Sequence, residues 1–328
     1  MTSMWRWLTF LFPAACAAAV LAASPTTAAE SFAVPGTACP LFPANNYWRT
    51  PVDTLPVARR SATWVRNIGR DTTLHPDFGP SGGQQSVPYG IGVTVVEPTH
   101  PRVSVDFDYA DESDSVGYPL GPDTFIEGGR ESGGDRHAIV VDRGSCRLYE
   151  TWDTHPGAGR WSAGSGATWD LRSNRLRPDG WTSADAAGLP ILPGLLTYDE
   201  VAAGRVTHAI RFTAPITRDR YVWPARHAAG STDSPNYPPM GARFRLRPGF
   251  DIGEWSPAAQ VVLRGMRRYG LVLADNGSPW YFQGTADDRW PDDLISELKR
   301  IPSGAFEAVN TAGLRLRANS AAARRISR

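Results

Sequence analysis

Short β-prone runs, each closed by Gly, Pro, Asn or Asp, recur from residue 91 to residue 283 and leave little room for long helices. With 32 Gly and 28 Pro in 328 residues, chain breakers are frequent enough to set the length of almost every element. The runs are 91–96, 102–109, 138–141, 147–152, 209–213, 220–223, 242–246, 271–274 and 280–283. In the second, Val103, Val105, Phe107 and Tyr109 share one face and Ser104, Asp106 and Asp108 the other, the alternation of a half-buried strand. So many short strands predict a mainly β fold, a β-sandwich or jelly-roll-like domain with two or three short helices. The helices are expected at 61–68, from Pro257 behind the capping residue Ser256 to a stop at Gly270, and at 291–300 with Asp292 and Asp293 in its first turn.

The two ends have a different character. Arg6, an apolar run over 8–23 and the small residues Thr27-Ala28-Ala29 read as an export signal over residues 1–29, cleaved near Ala29. That run is too short for a membrane span, so the mature chain is expected to be secreted or periplasmic. Residues 30–88, rich in Pro, Gly and Asn, predict an extended N-terminal arm packed on the domain, because Phe42, Tyr47, Trp48 and Trp64 need burial. Residues 89–310 form the β-rich catalytic or binding domain, and the Arg/Ala/Ser-rich stretch 311–328 predicts a disordered tail. Cys39 and Cys146 remain after cleavage and are either a disulfide, which an oxidising compartment favours, or two buried thiols. Lys and Arg number 34 against 33 Asp and Glu, a net charge of +1 that gives no electrostatic basis for nucleic-acid or anionic-membrane binding. No obligate protein partner is evident.

Several groups of residues carry candidate chemistry. Asp106, Asp108, Asp111, Glu112 and Asp114 crowd a stretch with no base, which suits a solvated turn, a calcium site or a carboxylate pair. Glu127, Asp135 and His137 frame a Gly-rich segment that runs into an apolar strand. Asp185 is a lone acid among small residues, followed by a segment fixed by two prolines. Such a carboxyl is expected to be partly buried with a raised pKa, as a general acid requires, or else to cap a short helix. Arg226 and His227 follow a strand end, and Asp275 opens an Asp-Asn-Gly turn. The tripeptide His-Ala-Ile occurs at both 137–139 and 208–210, so His137 and His208 each open a strand.

Searches for a zincin helix, paired Cys-x-x-Cys, a nucleophile elbow or a phosphate loop find nothing. Trp152, Trp161, Trp169, Trp181, Trp223, Trp280 and Trp290 lie in the same half as the candidate acids, where some can face a sugar ring while most serve the core. The segments around Leu41 to Trp48, Trp181 to Gly188 and Ala274 to Ser278 resemble a widespread set of exported bacterial proteins. That resemblance spans nearly the whole mature chain and implies export, but no residue role.

The expectation is an exported glycoside hydrolase acting on a polysaccharide or oligosaccharide, with Asp185 as general acid and Asp135 or Glu127 as nucleophile or base. His137 joins them, and His208, Arg226, His227, Trp181 and Asp275 bind substrate. No cofactor is required in this reading. The alternatives are a glycan-binding surface protein with structural calcium at Asp106, Asp108 and Asp111, a metal-dependent hydrolase built on His137, His208 and His227, and a polysaccharide lyase.

Overall fold

The computed structural model describes residues 1–2, 33–81, 87–157 and 159–325. The chain divides into Met1–Ser31 and Phe32–Arg328, and the architecture below is that of the second unit. Apart from its first two residues, the expected export signal lies outside the described residues.

In chain order the first half forms α1 (Ser61–Gly69), β1 (His75–Asp77), β2 (Val93–Val96), β3 (Ser104–Phe107), β4 (Ala138–Asp142), β5 (Arg147–Trp152), β6 (Arg160–Ala163) and β7 (Ser165–Asp170). The second half adds α2 (Tyr198–Ala202), β8 (Ile210–Ala214), β9 (Arg218–Tyr221), β10 (Pro239–Met240), β11 (Arg243–Leu246) and α3 (Pro257–Arg268). It ends with β12 (Leu271–Asn276), β13 (Tyr281–Gln283), α4 (Asp292–Leu298) and β14 (Phe306–Val309). The fold is β-rich, as the pattern predicts, but its strands are distributed over several sheets that mix parallel and antiparallel pairs, and among the described residues none closes into a barrel.

The largest sheet has the order β1-β13-β8-β12-β11-β14, with β8 parallel to β12 and antiparallel to β13. Its core gathers Phe212, Phe244, Trp280 and Phe306, all fully buried, with Trp280 stacked on Phe212 at 5.3 Å between ring centroids. Each such side chain contributes about 1.5–3 kcal/mol by leaving water. The stripe of α3, from Ala259 to Met266, seals this core. Ser256 caps that helix by accepting from the Ala259 N–H at 3.2 Å, and Gly270 ends it at φ 75°, where a Cβ would lie 2.0 Å from the Phe244 carbonyl oxygen.

A four-stranded sheet, β2-β4-β5-β7, is covered on both faces. Ile139, Val141 and Leu148 enter one apolar cluster, while Ala138, Val140 and Tyr149 enter another with Tyr118 and Trp161. That double burial explains why β4 reads as a continuous apolar run with no alternation. The Cys39–Cys146 disulfide ties the N-terminal segment to the β4–β5 hairpin across 107 residues, a closure that constrains the unfolded chain by on the order of 4–5 kcal/mol.

Both flanking segments belong to the fold. Residues 33–81 do more than lie on it: Tyr47 and Trp48 enter the main core, and β1 joins the large sheet beside β13. The disordered tail expected from residue 311 is corrected as far as residue 325. Leu314, Ala321 and Ala323 are buried, the Ala323 N–H donates to the Asn45 carbonyl at 2.8 Å, and the Tyr47 N–H donates to that of Ala321 at 2.8 Å. Backbone pairing, to which composition is blind, holds this segment. Among the described residues no helix is long and apolar enough to cross a membrane.

Candidate functional site

The site begins with an irregularity in the large sheet. Leu271, Val272 and Leu273 of β12 pair in step with Ile210, Arg211 and Phe212 of β8, but Asp275 then pairs with Thr213, leaving Ala274 out of register. Regular pairing would have put Asp275 opposite Ala214, on the apolar face with Ile210 and Phe212. The bulge moves it to the face of Arg211, and the freed Ala274 carbonyl accepts from the Ala187 N–H at 2.9 Å.

Arg211 is sealed in the interior and grips Asp185 with two bonds, Nε to Oδ2 and Nη2 to Oδ1, each 3.1 Å. The same Nη2 lies 3.5 Å from Oδ2 of Asp275. Asp185 is fully buried, and Ser183 fixes its loop: the Ser183 Oγ accepts from the Asp185 N–H at 3.0 Å and lies 2.7 Å from the Leu189 carbonyl oxygen. Burial pushes the Asp185 carboxyl up against the pull of Arg211. Asp275 is pushed to about 7, by burial first and then by the Asp185 charge, with Arg211 and His137 opposing. Unlike Asp185, its side chain is 25% exposed.

His137 stands behind this group at the start of β4. Its Nδ1 is 2.6 Å from Glu127 Oε2, and its Nε2 is 3.2 Å from the Ala184 carbonyl oxygen. Two acceptors on the two ring nitrogens suit the imidazolium. Burial lowers its pKa, yet the Glu127 charge and hydrogen bond outweigh that and raise it to about 9. Glu150 of β5 is equally sealed and caps the turn at 191–192, accepting from the N–H groups of Ile191 at 2.9 Å and Leu192 at 2.9 Å. Burial raises its carboxyl to about 7 despite those donors.

In front of Asp275 opens a cleft of about 370 Å³. Its wall carries the acids Glu112, Asp135 and Asp275, the base His227 and the rings of Tyr109 and Trp152. His227 Nδ1 donates to the Ala186 carbonyl at 2.8 Å, so its Nε2, 3.8 Å from Glu112 Oε2, is left as the working nitrogen. The Glu112 carboxylate is held by the Thr182 N–H at 2.8 Å. The two rings lie 6.4 Å apart between centroids, and Gly164 makes room for Trp152, since a Cβ there would come within 2.2 Å of the indole. Three carboxyl groups of different environment, one imidazole and two aromatic faces therefore meet in one cavity.

The sequence-predicted residues divide accordingly. Asp135, His227 and Asp275 line the cleft. Asp185, the expected general acid, is locked to Arg211 with no exposed surface, because the small residues around it let the loop close over it. Its burial and its need for a partner are as expected, but the cap of a helix is not formed. Glu127 and His137 are paired with each other behind the cleft. His208 lies in another network, with Nε2 3.0 Å from Glu200 Oε2 and Nδ1 2.7 Å from the Ala209 carbonyl oxygen. Arg226 is turned to the C-terminal segment, its Nη1 and Nη2 reaching Ala318 O at 3.3 Å and Asn319 Oδ1 at 3.2 Å. Trp181 lines a second groove.

The acidic stretch is not one cluster. Asp106 takes Arg160 by two bonds of 2.5 and 2.7 Å, Asp114 takes Arg177 at 2.8 Å, and Asp108 and Asp111 are exposed. The bases missing from the local sequence arrive from β6 and from the segment before Trp181. Among the described residues no three His, Cys, Asp or Glu side chains are grouped as a metal would need, so neither the three histidines nor Asp106, Asp108 and Asp111 come together. Arg211 and Glu150 went unnoticed in the sequence, although a charged residue inside an otherwise apolar strand was the available signal. Family models, curated protein sequences and solved structures were all compared with the chain, and none matches it.

Proposed function

We propose that this chain is a carbohydrate-active enzyme, a glycoside hydrolase whose general acid is Asp275. The observation that carries the reading is a carboxyl raised to about 7, with a quarter of its surface exposed, opening on a cleft that holds two further carboxylates. A carboxyl in that state keeps its proton near neutral pH and can pass it to the departing glycosidic oxygen. Asp135 or Glu112 then serves the opposite role, attacking the anomeric carbon or drawing the proton from a water that does so. Tyr109 and Trp152 offer apolar ring faces to the C–H side of a sugar, and His227 Nε2 a hydrogen-bond partner to its hydroxyls. Arg211, Asp185 and His137 act behind the wall by setting the charge around Asp275. Asp275 thus takes the role expected of Asp185, which the Arg211 pair removes from contact with any substrate.

The test is product analysis by mass spectrometry after incubating the folded mature chain with plant, fungal and bacterial wall polysaccharides. Release of oligosaccharides with new reducing ends is expected, falling as pH rises through about 7 as Asp275 loses its proton. Asp275→Asn is expected to lower turnover by about 10²–10⁴-fold. Full turnover in that variant, or no release across the panel, would defeat the proposal. Unsaturated products would point instead to elimination.

A further inference from the structure

A second groove of about 510 Å³ lies on the far side of the wall that bounds the cleft. Arg177 builds that wall: its guanidinium reaches Asp114 Oδ2 at 2.8 Å, Glu112 O at 2.6 Å and Thr182 O at 2.7 Å. Glu112 and Thr182 face the cleft, while Asp114 and Trp181 face the groove. A chain of linked sugars long enough to cross the wall would therefore touch both.

The groove differs from the cleft in charge. Arg147 and Arg175 line it and are exposed, and among the described residues neither guanidinium has a hydrogen-bond or ion-pair partner. Its two acids offset them only in part. Asp114 is already paired with Arg177, leaving Asp170, which accepts from the Arg172 N–H at 2.9 Å. The half-buried ring of Trp181 also lines the groove, with Arg177 5.4 Å from its centroid. Two unpartnered guanidinium groups and an indole in one groove are what a carboxylate-bearing sugar ring needs, two parallel N–H bonds for the carboxylate and an apolar face for the ring.

The geometry points to this groove as a subsite for an acidic sugar, a uronate residue of the polysaccharide whose neighbouring unit enters the cleft. The inference rests on the saccharide reading of that cleft but concerns binding alone, so it is tested without turnover.

Asp275→Asn protein, which keeps the groove intact, would be titrated by calorimetry with hexagalacturonate, with the neutral hexamer maltohexaose, and with citrate as an anion without sugar rings. Hexagalacturonate is expected to bind at least about tenfold more tightly than either control, and more weakly as salt is raised. Arg147→Ala combined with Arg175→Ala should lower that affinity at least about tenfold with an unchanged melting temperature, both side chains being exposed. Trp181→Ala should weaken hexagalacturonate and leave citrate unaffected. Equal binding of maltohexaose, binding of citrate as tight as the hexamer, or affinity indifferent to the two arginines would each overturn the inference. Groove-dependent binding with no cleavage of any glycan would sustain this inference and defeat the enzymatic one. Cleavage of a neutral glycan without hexagalacturonate binding would do the reverse.

Discussion

His137 and His208 begin from the same tripeptide and reach nearly the same local state. Each opens a buried strand, is 3% and 1% exposed respectively, and sets one ring nitrogen against a glutamate and the other near a backbone carbonyl oxygen. Burial lowers both pKa values and the paired glutamate raises both above the ordinary imidazole value. What separates them is the second acceptor. For His208 it is the carbonyl of the next residue, Ala209, and its glutamate belongs to the capping box that starts α2. For His137 it is Ala184, 47 positions away, in the loop that presents Asp185 to Arg211. At both histidines burial and a glutamate close in sequence act in the same directions, whereas only a contact distant in sequence connects one of them to a cleft. Similar electrostatics at two sites therefore does not imply a similar role.

The largest effect that would test this distinction is removal of Arg211. Arg211→Met leaves the Asp185 carboxyl in the interior without its cation, and a loss of about 3–5 kcal/mol is expected from urea unfolding at pH 7. A loss under 1 kcal/mol would mean that the His137 side holds no tightly coupled network, and the contrast with His208 would collapse.

His137 itself should show in the pH dependence of stability. Its folded pKa of about 9 stands above the ordinary value near 6.5, so protonation favours the folded state. That contribution is fully present below pH 6.5 and is lost as pH rises through about 9, an effect on the order of 2–4 kcal/mol. Comparing unfolding at pH 6 and pH 9.5, His137→Gln should flatten this slope. It should also alter the pH profile of turnover, because the His137 charge acts on Asp275. His208→Gln should change stability and leave the turnover profile in place. An unchanged slope in His137→Gln, or a shifted profile in His208→Gln, would reverse the assignment.

How much of this the sequence revealed depended on what kind of contact made each element. β5 occupies residues 147–152 as the apolar pattern predicts, and α3 starts at Pro257 behind Ser256 because its cap is a local hydrogen bond. β7 escaped notice in part because tertiary packing demands glycine within it and just before it. A Cβ at Gly164 would strike the Trp152 ring, and one at Gly166 would come 2.5 Å from Phe107. Gly166 interrupts the apolar signal of β7, and Gly164 that of the stretch leading into it. Asp275 reads as part of a turn because Asn276 and Gly277 follow it, and the bulge that turns it toward Arg211 leaves no trace in one sequence. Asp185 announced its burial through its small neighbours, but its partner lies 26 positions away inside an apolar strand. Residue types and burial were legible, and the pairing of charges across strands was not.

The smallest effect is the most specific test of the comparison. Glu200 Oε2 meets both His208 Nε2 at 3.0 Å and Thr197 Oγ1 at 3.0 Å, so the capping box and the histidine share one carboxylate oxygen. Thr197→Ala removes the acceptor for the Glu200 N–H at the start of α2 and should cost about 1 kcal/mol. It also removes the hydroxyl donor to Glu200 Oε2, leaving that oxygen to His208 and the backbone N–H of residue 197, so the His208 ring should titrate at a higher pH, readable from its imidazole proton resonances. His137, whose glutamate lies on a different segment, should titrate unchanged. If both rings moved, the two networks would be one. The difference between them would then be of distance from the cleft and not of connection to it.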